Sequence, residues 1–433
     1  MVIDSTIVKF ASYSGIELGT PWNTTIFVIF FIIFAVGSFI LLKAVKNAIS
    51  TPQYKFTTSA KFYHGLIIAV QILSIIIMML IILQISILGI YNLVFLRAEV
   101  YISHICGFVF LSSLAFLFMS WLASNRNLGI ILYSLSFIIA SVNLLISLVY
   151  MDSYLSVSSV SNITLHPITS YVANLPGSSI TESLSPVFDA LSLISFLLMW
   201  SATVTLLRQY RHKFGRIKFL LIMSIPLIYY IFPLQGYFED VFLSLLQGSS
   251  ISFIITYILI FSATKQVGAL LFSLVFLTAS DLVYDTRTRK TLLISAVGMA
   301  VLFATFEISP LQYHVYPPFG FMTQALIPLG SYLLFVGIHS SAKSISRDSQ
   351  LRKEFYRNAS SQLGLLRAIG VSEMEKELQK RLDAAHNRSI VIEQEQVRME
   401  DENVKEILHE VLNELYYSKG VKEQNDIHEG DDK

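Results

Sequence analysis

A single cysteine, Cys106, in 433 residues excludes a disulfide within the chain and leaves any metal site without thiolate pairs. Charge is scarce too. Asp, Glu, Lys and Arg make up 14% of the chain against 54% hydrophobic residues, and the mean hydropathy is +0.62. A soluble domain carries about 25% charged residues, so a water-soluble fold of this composition could not furnish a polar surface. No glycine-rich phosphate loop of the nucleotide or dinucleotide type occurs, which argues against ATP-driven transport by this chain alone. The stretch His409-Glu410-Val411-Leu412-Asn413 starts like a zinc-protease helix but has Asn where the second His must be. No motif implies a cofactor, a metal or a catalytic residue.

What charge there is divides unevenly. Residues 1–340 hold 16 Lys and Arg with 11 Asp and Glu, and residues 341–433 hold 15 and 19, so the net charge of +1 conceals a basic membrane part and an acidic tail. That balance gives no reason to expect nucleic-acid binding.

A bilayer core of roughly 30 Å takes about 20 mostly apolar residues of helix, because backbone amides in lipid must be bonded within their own segment. Ten stretches meet that test: 24–42, 63–90, 100–122, 128–150, 187–207, 219–238, 247–263, 267–284, 292–308 and 319–338. The first lacks a basic flank before it and a small-residue cleavage site after it, so it is expected to be a membrane span rather than a signal peptide. Basic residues of short loops stay in the cytoplasm, which assigns Lys43, Lys46, Lys55 and Lys61, Arg126, the cluster Arg208 to Lys218, and Arg287 to Lys290 to that side. The stretch 151–185 has no Lys or Arg and belongs outside, with the N-terminus and the acceptor triplets at Asn23 and Asn162. An outside start and an inside end require an odd number of crossings, so nine or eleven is expected rather than ten. Pro226, Pro233, Gly236 and Gly248 favour an extra half-membrane element between residues 236 and 248.

The fold expected is therefore all-α: a polytopic bundle over residues 1–340, cytoplasmic helices over 341–417, and a polar, disordered end over 418–433. Leu351, Phe355, Ala359, Leu363, Leu366 and Ile369 recur every three or four residues opposite Arg352, Lys353 and Arg357, which predicts an amphipathic juxtamembrane helix. Gly370 is read as its end, and Ser372 with Glu375 as the capping box of a second helix. Ile390, Val397, Val404 and Val411 repeat every seven, with Leu408 and Leu415 in the second seam, the pattern of a short coiled coil through which a homodimer or a partner protein would bind.

Ionisable residues at membrane depth are functional candidates by default. Asp189, Glu239, Asp240 and Glu307 fall near span ends, where headgroups or water solvate them. His104 lies early in the third span beside Cys106; without a second ligand one turn away it reads as a neutral, packed histidine bonded to a neighbouring helix. Asp281 and Asp285 are four apart, hence on one helical face, and could hold Mg²⁺ against a diphosphate, but the matching acidic cluster is missing from loop 43–62. Pairing with Arg287 and Arg289 is the plainer reading. Tyr313 to Gly320, with its paired prolines, reads as an aromatic anchor at the membrane boundary ahead of the last span.

Tyr316 to Gly320, Ser340-Ser341-Ala342 with Ser346, Asp348, Leu351 and Arg352, and Ile369-Gly370 followed by Glu373-Met374-Glu375 carry a resemblance. Over about the last 120 residues the chain resembles a group of uncharacterised archaeal multi-pass membrane proteins, and its layout resembles the membrane sensor part of histidine kinases. The tail is too short for a phosphoacceptor helix pair and an ATP-binding domain, so the resemblance implies architecture and no kinase activity. A non-enzymatic sensor or scaffold of the cell membrane, its bundle coupled to a cytoplasmic helical tail and in contact with membrane lipids, is the leading expectation. A transporter or channel with broken helices around residues 219–284 comes second, and a lipid-modifying enzyme resting on Asp281 and Asp285 third.

Overall fold

The structure, a computed structural model, describes residues 20–49, 58–157, 162–164, 179–231, 251–305, 317–352 and 361–392. They are almost entirely helical. In chain order they form α1 (Thr20–Ile49), α2 (Thr58–Leu88), β1 (Ile90–Asn92), α3 (Leu93–Ser124), α4 (Leu128–Val157), β2 (Asn162–Thr164), α5 (Ser179–Leu207), α6 (Arg216–Ile231), α7 (Ile251–Asp281), α8 (Thr286–Thr305), α9 (Phe321–Ala325), α10 (Ile327–Arg347) and α11 (Ser361–Ile392). Seven of them are long and apolar enough to cross a bilayer, as a multi-pass membrane protein requires: α1 to α5, α8, and the α9–α10 pair.

Local chemistry explains several boundaries. Asn92 caps α3 by accepting the Val94 amide at 2.8 Å, and Asn127 opens α4 by accepting the Gly129 amide at 2.9 Å. Gly320, at φ 88°, turns the chain into α9 in a left-handed conformation that a Cβ would strain. Pro328 stands in the first turn of α10, where its missing N–H costs nothing, so the last membrane helix restarts there instead of continuing from α9.

Packing separates lipid-facing from protein-facing surfaces. On α1 the exposed residues Ile29, Ile33, Val36 and Ile40 form a helical stripe, and α2 exposes Ile72, Ile76, Met79, Leu83 and Ile87 in the same way. A monomer in water seldom exposes apolar patches this continuous, whereas acyl chains solvate them without penalty. At the other extreme, 89% of the membrane window of α9–α10 is enclosed, against 17% for α1, so the last span is the axis of the bundle. Its neighbours include α8, α3, α2 and α1. The α8–α10 seam is closed by small residues: a Cβ on Gly330 would stand 2.9 Å from the Leu302 backbone nitrogen, and one on Gly337 2.6 Å from that of Ser295. Lipid offers no hydrophobic drive for helix association, so close van der Waals approach at such residues supplies it. Along α4 and α5, Ser136 and Ser195 each donate to the other's carbonyl at 2.9 and 3.1 Å, and Asn143 Nδ2 donates to Ser192 Oγ at 2.9 Å.

Two features mark the ends of the bundle. β1 and β2 pair antiparallel, Ile90 opposite Thr164 and Asn92 opposite Asn162, a small departure from the all-α expectation that ties the end of α2 to the segment after α4. At the opposite end the part of α11 up to Glu375 lies against α3 and α4: Trp121 Nε1 donates to Glu373 Oε2 at 3.0 Å, Ser124 Oγ donates to Glu375, and Leu365 packs 3.1 Å from where a Gly129 Cβ would stand. The rest of α11, residues 376–392, belongs to a second unit.

Several expectations are corrected. The stretches 247–263 and 267–284 are not two spans: α7 runs unbroken from Ile251 to Asp281, and the polar triplet Thr264-Lys265-Gln266 lies within it. The broken helices expected over residues 219–284 are absent from the described part of that region. Pro226 lies inside α6, and Gly268 is a contact point where a Cβ would meet Pro226 Cβ at 3.1 Å. Pro233, Gly236 and Gly248 lie outside the described residues. A break does occur in the last span, between α9 and α10. The juxtamembrane helix is interrupted at Asp348, whose extended backbone ends α10 and whose carboxylate accepts the Gln350 and Leu351 amides at 2.9 and 3.1 Å. Arg352 does not face water: it is buried and donates back to the carbonyls of Ile345, at 3.4 Å, and Ser346, filling the unbonded end of α10. Gly370 ends nothing, since α11 runs through it; a Cβ there would stand 3.0 Å from Ile345 Cβ. Phe355 and the heptad positions Val404, Leu408 and Val411 lie outside the described residues.

Candidate functional site

Toward the β1–β2 end, polar side chains from α2, α3, α4 and α9 meet inside the bundle. Because Asn92 starts α3 well before the apolar run, Glu99 sits on its second turn and is drawn inside, where it is fully buried. Its Oε1 accepts two hydroxyl hydrogens at 2.8 Å, from Ser74 on α2 and from Ser103 one turn along α3. Its Oε2 has no partner. One turn from Ser74, Gln71 donates through Nε2 to the Ala325 carbonyl at 3.1 Å, and its own Oε1 is unpartnered. That carbonyl stands at the end of the five-residue α9, where the restart at Pro328 ends the regular ladder. Non-helical backbone at membrane depth is tolerated only where protein covers it. Residues 317–325 are all buried.

His104 completes the cluster. Nε2 lies 3.0 Å from Ser147 Oγ on α4, while Nδ1 lies 2.9 Å from the Val100 carbonyl oxygen and 3.2 Å from the Gln324 amide on α9. With the proton on Nδ1 the ring donates to Val100 and accepts from Ser147; with it on Nε2 the ring donates to Ser147 and accepts from Gln324. Either tautomer keeps a neutral imidazole bonded on both sides, and the one with the proton on Nε2 links three helices. The Ser147–His104 pair lacks the carboxylate that orients a hydrolytic histidine, and the cluster holds no aligned oxyanion donors, so acyl transfer finds no support. No group of three His, Cys, Asp or Glu able to hold a metal ion occurs among the described residues.

Other candidates disperse. Asp281 ends α7 and is exposed, 3.6 Å from Arg289. Asp285 is not on its helical face: the chain leaves the helix at residue 282, and Asp285 caps α8. It accepts the Thr288 amide and hydroxyl at 2.8 and 2.6 Å and the Arg287 amide at 3.3 Å. Partial burial pushes this carboxyl up, but those bonds and the nearby Arg287 charge outweigh it and hold it below the usual Asp value. Diphosphate binding through an Asp281–Asp285 pair therefore has no geometric basis. Asp189 is exposed near the start of the apolar part of α5, and Glu307 lies outside the described residues. Of the stretch expected to anchor at the membrane boundary, Tyr313 to Tyr316 lie outside the described residues, and Pro317 to Gly320 are buried, with Phe319 edge-on to Phe27 at 5.8 Å. An open groove of about 410 Å³ near the tail end is lined by Tyr63, Ser112, Ser113, Phe116, Leu117, Phe335 and His339.

Glu99, Gln71, Ser74 and Gln324 escape hydropathy reasoning. An apolar window that begins at Val100 leaves Glu99 as its flank, yet two signals point to it: the i, i+4 spacing of Glu99 and Ser103, and the i, i+3 spacing of Gln71 and Ser74 in an otherwise apolar helix.

No protein-family model, no curated protein and no solved structure matches the chain. The functional reading rests on the geometry.

Proposed function

We propose that this protein is a signal transducer of the cell membrane that crosses it nine times, N-terminus outside and C-terminus in the cytoplasm. Merging two candidate spans into α7 supports nine, the odd number that the basic loops demand. In that arrangement α6 runs outward, α7 inward, α8 outward and α10 inward. Both strands then share the outer side, while Arg126, Arg287, Arg347 and α11 share the inner one. Lys265 sits roughly 24 Å up α7 from Asp281 at 1.5 Å per residue, near the far edge of a core roughly 30 Å thick.

One observation carries the transducer reading: the described residues between Pro317 and Glu375 touch the polar cluster at one end and the docking site at the other, and α3 holds both. Gln324 meets His104 of α3 and Ala325 meets Gln71, while Glu373 meets Trp121 at the far end of that same helix. Between them most of α10 is enclosed, so a shift of α9 moves α10 against α3 and alters the seat of α11. Interfaces packed this tightly switch between discrete arrangements instead of deforming smoothly.

Hydrogen–deuterium exchange on Gln324→Leu protein in nanodiscs tests this. Coupling requires faster exchange in residues 361–375 as well as around α9. Changes confined to α9 and its immediate neighbours would end the proposal. A transporter is the second reading, supported by the helix break beside a buried carboxylate. Cation-driven uptake into vesicles that is lost in Glu99→Gln would establish it.

A further inference from the structure

We infer that the cluster around Glu99 is a binding site for one small monovalent cation, a proton or an ion of sodium size, held at the unpartnered Glu99 oxygen. The inference deepens the transducer reading, on which only the consequence of binding rests.

The charge bookkeeping is incomplete without such an ion. Glu99 is 0% exposed, and its two bonds come from neutral hydroxyls. The ionisable groups named on the surrounding helices are committed elsewhere or lie away from Glu99. Arg97 on α3 donates to Asp152 of α4, at 3.1 Å through Nε; His64 on α2 lies 2.7 Å from the Tyr332 hydroxyl of α10; His104 is engaged as described. Lys61 lies more than three turns from Ser74 toward the far end of α2, Tyr101 faces away from the core on α3, and α9 has no ionisable side chain. A buried carboxylate without a cation is among the most costly arrangements in a membrane, and one unit of positive charge removes the cost.

The neighbouring polar side chains suit that ion in kind. Ser74 and Ser103 supply hydroxyl oxygens, and Gln71 supplies an amide oxygen whose orientation is set by its own donation to Ala325. These are hard oxygen ligands around a single negative charge. A divalent ion would be left with excess charge and would call for further carboxylates, and the absence of a three-member acidic or histidine group among the described residues argues against one. The position also suits a switch: Gln71 bonds the carbonyl at the helix break, so an ion drawing in the Gln71 oxygen would pull on α9 through the same side chain.

The test uses full-length protein in detergent micelles and reads the thermal midpoint in two arms: pH varied in choline chloride, and sodium exchanged for choline at fixed pH and ionic strength. A wild-type midpoint that moves with pH alone assigns a proton; movement with sodium assigns the ion; opposing effects of the two assign competition at one site. In each case Glu99→Gln, which keeps an oxygen for Ser74 and Ser103 but has no charge to neutralise, must lose the shift. Should that variant not fold, the double variant Ser74→Ala, Ser103→Ala retains the carboxylate without its two donors and must displace the midpoint of the same titration. Infrared difference spectra supply an independent reading of the proton arm through the carboxyl C=O band. The inference is overturned if the wild type responds to neither ion, or if Glu99→Gln responds as the wild type does, which would hand the effect to His64, His104 or surface groups. Binding with no exchange change in residues 361–375 would leave the site standing and remove the transducer.

Discussion

Replacing Gly337 by alanine tests the seam that holds the axial helix. The new methyl would stand 2.6 Å from the Ser295 backbone nitrogen and 2.8 Å from the Thr291 carbonyl oxygen, with Ser295 Oγ closer still, where ordinary contacts lie at 3.4–4 Å. The first two are backbone atoms of α8, so no side-chain rotation relieves them and the helices must part by most of an ångström along a tightly packed face. Over-packing a core typically costs about 1–3 kcal/mol. Because backbone must move here, a loss of about 2–3 kcal/mol is expected, roughly 30- to 150-fold in the folded-to-unfolded ratio. Equilibrium unfolding in mixed micelles, followed by tryptophan fluorescence, measures it. Gly37→Ala is the control: nothing lies within 4 Å of a Cβ there, and alanine favours helix by up to about 1 kcal/mol. Equal effects from the two substitutions would refute the close-packed seam.

Trp121→Phe deletes the indole donor to the buried Glu373 carboxylate; an unsatisfied buried group costs about 1–3 kcal/mol, so limited proteolysis should release α11 sooner, and unchanged cleavage would contradict the docking. Asp285→Ala removes the cap of α8 and should cost about 1 kcal/mol, while Asp285→Asn retains most of it. The sign with pH follows from its lowered carboxyl: Asp285 contributes stability above the ordinary Asp range that disappears as pH falls through its folded value, and Asp285→Ala should lose that share of the acid dependence in a pH-resolved melt. Asn143→Leu exchanges one interhelical bond for removal of an unpartnered Oδ1; membrane polar pairs average about 0.6 kcal/mol, so the melt should move little, and a large loss would mean the amide does more than bond Ser192.

Long apolar segments were legible because lipid demands a length and a composition that few other environments impose. The first five spans emerge within a few residues, lengthened because the helices run past the greasy window. Where a polar turn sits inside a helix, hydropathy fails: Thr264-Lys265-Gln266 looks like a loop only if helix and apolar window are taken to coincide. The same shortcut trimmed Glu99. Glycine misled in another way. Gly370 looks like a helix end by local propensity, but it is small because Ile345 crosses there, a contact 25 residues distant in sequence that no local rule contains. Asp281 and Asp285 were grouped by spacing alone, and spacing means nothing across a helix end. His104 could be read as a packed residue, yet its partners Ser147 and Gln324 are matters of tertiary arrangement.

Labelling single cysteines with a membrane-impermeant maleimide bears most directly on the nine crossings proposed. On a Cys106→Ser background, Ser249→Cys and Thr286→Cys flank α7. One crossing between them requires opposite sides, with Ser249→Cys labelled from outside only and Thr286→Cys only after the cells are opened. Labelling of both from the same side would mean that residues 250–285 cross twice or not at all, and the arrangement of α6 to α10 would fall with it.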